Sequence, residues 1–303
     1  MAALLDDVVG DLVPLLGPPR GEPEVLAGGM TNANYRVQLG GGEYVVRLPG
    51  PGSGALGIDR ATEHAAAVAA AQAGVGPEVL AFERGCLVTR FVPGRPLEPH
   101  EVRTPPHLGE VAAALRAFHA GPPLPSRFVV FRIVEEHLAA ALAHGGAEPP
   151  EYAPLHALAA RIEAALTHPE HALVPCHDDL LNANLIHDGT RPWLVDWDYA
   201  GMGDRFFDLA NLAVNNGFEA ADEIALLEAY FGPGEATPRR LAALRLQRLM
   251  SDFREAMWGV VQATASDLDV DYRAYAAQHF ARLESAIAAS PVDDWIAEAA
   301  RGA

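Results

Sequence analysis

Lysine is missing from this chain; all 22 basic side chains are arginine. A P-loop needs Lys before its last Ser/Thr, pyridoxal chemistry needs a Schiff-base amine, and ordinary protein kinases set a strand Lys on the nucleotide phosphates. Any phosphate handled here must therefore be held by Arg, backbone or metal. Cysteine is nearly absent too. Cys86 and Cys176 stand far apart and outside any CxxC pair, which excludes a disulfide framework or a zinc knuckle and suits a reducing compartment. Positive charge is scarce, with 40 acids against 22 bases and a formal net charge of −18. That balance excludes a broad grip on nucleic acid phosphates or anionic lipid. No run approaches the length of a membrane span, and MAALLDDVVGDLVPLL lacks the basic start of a signal peptide, so a cytoplasmic protein with no membrane partner is expected.

The 303 residues suffice for about two compact units at ~150 residues each. From Glu24 to Phe91 the text consists of short β-like runs. ANYRVQL and EYVVRLP read as a hairpin joined at Gly40–Gly42, and VLAFE and CLVTRFV return to strand. Between these pairs, IDRATEHAAAVAAAQAG reads as a helix with Asp59 as N-cap and Gly74 as stop. After the breaker-rich VPGRPLEP the pattern turns helical, with candidates near 107–120, 131–144, 151–167, 204–215, 220–230, 238–265 and 271–289. Thr237 and Pro238 give the longest of these an N-cap and a first-turn proline. One non-helical island, ALVPCHDDLLNANLIHDGTRPWLVDWDYAG, interrupts them, with LIH and WLVDW reading as a hairpin around Asp188-Gly189.

That island holds His177, Asp179, Asn184 and Asp196, spaced HxDxxxxN with an Asp twelve residues further on. Phosphoryl transfer needs a carboxylate to orient and deprotonate the attacking hydroxyl, and oxygen ligands for Mg²⁺. Asp179 suits the first task, and Asn184 and Asp196 the second; His177 suits bracing of the loop that carries them. A metallohydrolase stays open as an alternative, since His177, Asp179 and Asp196 could take a metal directly. Against it, His171 and His187 lack the spacing that would complete such a site. A catalytically idle binding module is the other alternative. Arg47 stands in the middle of the apolar strand YVVRLP, where an unpaired charge is costly, so it needs an anionic partner such as Glu63 on the following helix or the phosphates themselves.

CHDDLLNAN and LVDWDYAGMGDRFFDLANL resemble the aminoglycoside phosphotransferase and choline kinase superfamily, closest to the choline/ethanolamine kinase-like group. The resemblance covers nearly the whole chain and implies an α+β, protein-kinase-like two-lobed fold. A small N-terminal antiparallel sheet with one helix (1–92) would bind the nucleotide, and a larger, mainly helical lobe (93–303) would carry catalysis and the acceptor. It implies ATP and Mg²⁺ as cofactors, Asp179 as catalytic base with His177 beside it, Asn184 and Asp196 as metal ligands, and Asp208 as a structural partner of the loop. GGMTNANYRV resembles the phosphate-covering GGxTNxxY loop, which makes Gly29, Thr31, Asn32 and Asn34 expected nucleotide contacts together with Arg47 and Glu63. TRFVPGRPL resembles the linker between lobes, with Phe91 or Val92 nearest the adenine.

The expected acceptor is a small, cationic alcohol, choline or ethanolamine. A quaternary amine wants aromatic faces and a carboxylate. MWGVVQATASDLDVDYRAYAAQHF resembles the C-terminal pattern of choline and ethanolamine kinases, which puts Trp258 and Tyr275 at cage-like positions, with Tyr199 after Asp196. Two departures stand out. Asn215 and Asn216 follow the DxxN turn where eukaryotic choline kinases carry Glu, and Glu255 replaces an earlier Trp, so Glu255 is the carboxylate expected to face the amine. Thiamine, amino sugars and aminoglycosides remain alternative acceptors.

Overall fold

In the computed structural model, residues 2–26, 32–50, 57–266 and 268–301 are described. Helix α1 (Ala2–Leu16) leads into a five-stranded antiparallel sheet. In chain order its strands are β1 (Glu24–Leu26), β2 (Asn32–Leu39), β3 (Gly42–Pro49), β4 (Val79–Glu83) and β5 (Cys86–Arg90), and in space β1-β2-β3-β5-β4. The β2–β3 hairpin turns at Gly40, whose φ of +57° and contact with the C-terminal end of α1 both require glycine; a Cβ there would lie 2.1 Å from the Leu16 carbonyl oxygen.

Strand alternation gives the sheet two different faces. Val46 and Leu48 of β3 pack with Val37, Leu39 and Val88 under Leu5, Val8 and Leu12 of α1. Arg47, between them in sequence, points to the opposite face, where helix α2 (Arg60–Gln72) lies. The Ala66, Ala67, Ala69 and Ala70 stripe of α2 lets that helix sit close, and it shares one core with Leu87, Leu185 and Leu194. The sheet and the helical remainder are thus joined by continuous apolar packing.

Beyond β5 the chain forms β6 (Arg95–Pro96), the single turn α3 (Pro99–Val102), and helices α4 (His107–His119), α5 (Val130–Ala143) and α6 (Tyr152–Ala165). The non-helical island follows as β7 (Val174–Cys176), β8 (Leu185–His187), β9 (Pro192–Leu194) and β10 (Gly201–Gly203). β7 pairs with β10, and β6, β8 and β9 form a second ribbon. Helices α7 (Arg205–Asn215), α8 (Ala220–Phe231), α9 (Pro238–Ala265), α10 (Tyr272–Ala288) and α11 (Val292–Ala299) complete the fold. The 28-residue α9 runs through the second core, where Leu246, Met250, Phe253 and Met257 meet Phe131, Phe207 and Phe280.

This is the α+β arrangement the sequence implies, and the helices from 107 onward fall close to their expected bounds. α1 and α11 were not expected. α1 carries Pro14 and has no acid in its first turn, and α11, although Asp293 and Asp294 stand in its first turn, spans only eight residues, too few to show a helical period. β9 ends at Leu194 instead of running through Asp196, because Asp196 adopts φ +70°, which breaks a strand. Among the described residues no helix is long and apolar enough to cross a membrane. Cys86 and Cys176 are both free and buried.

Asp59 caps α2 as expected and does more. Its carboxylate accepts from Ala61 N at 3.0 Å, Thr62 Oγ1 at 2.7 Å and Ser126 Oγ at 3.0 Å, which ties the start of α2 to the segment before α5. Replacing Asp59 with Ala is expected to cost about 1–2 kcal/mol in urea unfolding. The Thr62 bond, ahead of the others, holds this carboxyl below the usual range. A depressed carboxyl contributes stability above its unfolded value of about 4 and loses it on acidification, so the gap between wild type and D59A should be full at neutral pH and close as the pH falls below about 4.

Candidate active site

The loop between β7 and β8 is held from below by one buried carboxylate. Asp208, in the first turn of α7, accepts the backbone N–H of His177 at 2.9 Å and of Asp178 at 2.7 Å, and lies 2.9 Å from His119 Nε2. His119 Nδ1 lies 2.6 Å from the Tyr230 hydroxyl. Burial opposes the Asp208 charge, yet the His119 contact and the loop N–H groups hold its carboxyl below the ordinary range. One turn on, Asn211 accepts from Leu180 N, and Asn216 donates to Leu180 O at 3.4 Å. The loop thus hangs from α7 by its main chain, which leaves the Asp179 side chain free of that anchor.

His177 is fully buried and its Nε2 lies 2.9 Å from the Val195 carbonyl oxygen. It ties the loop to the stretch that carries Asp196 and is closed off from solvent, so of the two expected catalytic residues only Asp179 has a partly exposed side chain. Asp178 adopts φ +63° and both its carboxylate oxygens are buried without a hydrogen-bond partner. Burial, reinforced by Asp208, drives its pKa well up.

Asp179 follows, with 15% of its side chain exposed. Asn184 reaches back to it, its Nδ2 donating to the Asp179 carbonyl at 2.8 Å and approaching Oδ2 at 3.5 Å. Val195 N donates to Asn184 O at 3.1 Å, which brings Asn184 alongside Asp196. Burial pushes the Asp179 carboxyl up to about 7, with Arg254 pulling the other way.

From the sheet, Arg47 meets this loop. Its guanidinium pairs with Glu63 at 3.1 Å, Asp198 at 3.0 Å and, closely, Asp196. Burial works against its charge, but Asp196, Asp198 and Glu63 together outweigh that and hold it protonated. Arg60, absent from the sequence reading, joins the same cluster through Glu63 at 2.7 Å, Asp198 at 2.9 Å and the Asn32 amide oxygen at 2.7 Å. Asn32 in turn donates to Asp198 at 2.6 Å, so its side chain bridges sheet and loop instead of standing ready for a phosphate. Two guanidinium groups face three carboxylates here, with Asp179 nearby, which leaves surplus negative charge built from oxygen donors. That donor set fits Mg²⁺, with Asn184 and Asp196 as the residues to hold it.

Asn34 lies directly across from Arg47 in the β2–β3 register. Gly29 and Thr31 lie outside the described residues. At the linker, Phe91 N donates to Glu43 O at 2.9 Å and the Arg36 guanidinium covers the Phe91 ring at 4.3 Å, so the Phe91 N–H is already engaged and only its carbonyl, with Val92 beyond, is left to face a base.

Tyr199, Trp258, Tyr275 and Glu255 come together as expected, but not as an apolar cage. Trp258 Nε1 donates to the Tyr199 hydroxyl at 2.7 Å, Tyr275 donates closely to Glu255, and Trp258 meets Tyr275 edge-on at 5.6 Å. Arg254, also missed from sequence, is 1% exposed and lies over the Tyr199 ring at 4.3 Å, 2.7 Å from Glu255 and 3.7 Å from Asp179. One face of Tyr199 is therefore taken by a guanidinium. Asn216 is buried and bonded to main chain, away from this wall. A cavity of about 370 Å³ adjoins it through Asp198 and Tyr199, with Phe128, Asp59 and Glu136 on its other sides; Asp179 is not among its lining residues.

Removing the Asp208 anchor should be felt throughout this loop. Asp208→Ala leaves two buried backbone donors and His119 unpaired, and a loss of about 3 kcal/mol or more is expected in equilibrium unfolding. An unchanged unfolding midpoint would mean that the loop is held by other contacts.

The phosphotransferase enzyme family matches residues 22–244 of this chain. A choline/ethanolamine kinase family protein of Mesorhizobium loti is similar over 99% of this chain and 100% of its own, at 32% identity and a TM-score of 0.83. The choline kinase LicA of Streptococcus pneumoniae shares the fold over 95% of this chain and 100% of its own, at 23% identity and a TM-score of 0.75. Human ethanolamine kinase 2 is 27% identical over 66% of this chain and 58% of its own length, so the match spans somewhat more than half of that relative. With the HxDxxxxN loop, a buried sheet arginine and a matched span of this extent, the chain belongs to the phosphotransferase enzyme family, within which it is similar to choline and ethanolamine kinases.

Proposed function

We propose that this protein is an ATP- and Mg²⁺-dependent kinase that phosphorylates the hydroxyl of a small amino alcohol, with choline and ethanolamine as the leading acceptors. The observation that carries the reading is the meeting of Arg47, from the sheet, with Asp196, which the Val195–Asn184 bond sets beside the loop that presents Asp179 and Asn184. A nucleotide would lie between residues 1–92 and 93–303, against Arg47 and the carbonyl groups at Phe91 and Val92. Bound Mg²⁺, held by Asn184 and Asp196, supplies charge neutralisation on the phosphates.

Asp179 accepts the hydrogen bond of the acceptor hydroxyl, aims its oxygen at the terminal phosphorus and takes the proton as the new O–P bond forms and the bond from that phosphorus to the β–γ bridging oxygen breaks, releasing ADP. Its raised basicity comes from burial, and Arg254 keeps enough of it ionised near neutral pH to act. Asn184 holds Asp179 in place through its main-chain bond. His177 and Asp208 keep the loop rigid, so that little reorganisation is needed at the moment of transfer.

The acceptor's amine would face Glu255, Trp258 and Tyr275. Hydrogen-bonding groups dominate that wall and Arg254 occupies one face of Tyr199, which favours an amine that carries N–H donors over a quaternary one. An amino sugar or aminoglycoside is the second reading, supported by the same polar wall.

An ADP-release assay over ethanolamine, choline, thiamine, amino sugars and aminoglycosides tests both readings, with Mg²⁺-dependent turnover expected to be highest on ethanolamine. Product formed without ATP would instead mark a hydrolase. Asp179→Asn should lower kcat by at least about 100-fold while ATP affinity stays within a few-fold. Wild-type-like turnover in that variant would remove Asp179 from its role. Arg254→Met should lower kcat far more than it raises KM for ATP, and Arg254→Lys should recover part of the loss, as expected of a positioning charge; parallel loss in both variants would mark Arg254 as purely structural.

A further inference from the structure

Away from the cleft, three metal-type ligands converge on one point. His107 and Glu110 occupy the first turn of α4, three residues apart and hence on one face, and His187 ends β8. His107 Nδ1 lies 3.2 Å from Glu110 Oε2, and His187 Nε2 lies 3.4 Å from the same oxygen. All three ligand atoms fall within 4.8 Å of one another, and the two rings meet edge to face at 4.7 Å. We propose that His107, Glu110 and His187 form a binding site for a borderline divalent transition metal, Zn²⁺ before others, separate from the Mg²⁺ expected at Asn184 and Asp196.

Spacing supports it. Ligands at about 2.1 Å around a tetrahedral ion stand about 3.4 Å apart, close to both distances seen here. The chemistry also discriminates. Two imidazoles and one carboxylate suit Zn²⁺ and its neighbours, whereas Mg²⁺ and Ca²⁺ prefer all-oxygen shells. His187 Nε2 is itself buried with no hydrogen-bond partner, which an ordinary His–Glu pair would not leave. Glu110 and His107 remain partly exposed, so an ion can enter and keep water as its fourth ligand.

One existing bond must change. Gly189 N donates to His187 Nδ1 at 3.1 Å, so in the free protein the ring proton sits on Nε2. Metal binding moves that proton to Nδ1 and turns the Gly189 N–H of the exposed Asp188-Gly189 turn toward water. The bound ion would staple α4 to β8, and through the Arg95↔His187 pairing to the strand that follows the linker at Val92.

The test uses the full-length chain without a histidine tag, in millimolar Mg²⁺. Equilibrium dialysis should show one equivalent of Zn²⁺ taken up, and Co²⁺ in its place should give the strong visible absorption of a tetrahedral centre. His107→Ala and His187→Ala should each weaken Zn²⁺ binding at least about tenfold and abolish the Co²⁺ spectrum, while ADP release measured without Zn²⁺ stays as in wild type. Asp196→Asn should leave Zn²⁺ uptake intact. Absence of saturable uptake overturns the site, as does uptake that survives both histidine variants or disappears with Asp196→Asn.

Discussion

A charge buried in a sheet must find its counter-charge, and in this molecule that requirement joins the two halves. Arg47 lies on the face of β3 away from α1, under α2, where water cannot screen it. Glu63 alone would neutralise it. The chain instead adds Asp196 and Asp198 from the segment between β9 and β10 and Arg60 from the start of α2, with Asn32 spanning the gap. Each group in this cluster would be expensive to bury by itself, and together they specify how the sheet sits over the loop. The apolar core shared by α2, Leu185 and Leu194 supplies the adhesion, and the charges supply the alignment.

A second constraint acts from the opposite side. The β7–β8 loop is suspended by main-chain hydrogen bonds to Asp208 and Asn211 on α7, and Asp178 within it and Asp196 after β9 hold backbone conformations that non-glycine residues seldom adopt. Such geometry persists only where the surroundings over-determine it. Asp208, His119 and Tyr230 form a buried polar chain that does so, and its cost is offset because every link is satisfied.

Most of the fold could be read from the residues. Periodicity and caps placed α2 and the helices from 107 onward, since Asp59, Thr237 and Pro238 act through local chemistry visible in sequence. HxDxxxxN could be read for the same reason, its spacing reflecting one loop. What escaped the reading depends on contacts between distant segments. Arg254 looks like any helical arginine until α9 is packed and its guanidinium comes to rest on Tyr199, and Arg60 looks like a solvent-facing first-turn residue until Asp198 arrives from 138 positions away. At the linker, the hydrogen bond that extends the β3–β5 pairing takes the Phe91 N–H, a contact the sequence alone does not show.

The crowding of carboxylates around Arg47 bears on how fast a product could leave. A polyphosphate arriving at this guanidinium, as the proposed function requires, would gain only the difference between its own oxygens and those of Glu63, Asp196 and Asp198, which would reclaim the arginine once the anion departed. An arginine with no resident partners would grip a spent nucleotide as firmly as a fresh one and slow every cycle at its last step. Competition from inside the protein would keep that grip shallow and the exit quick.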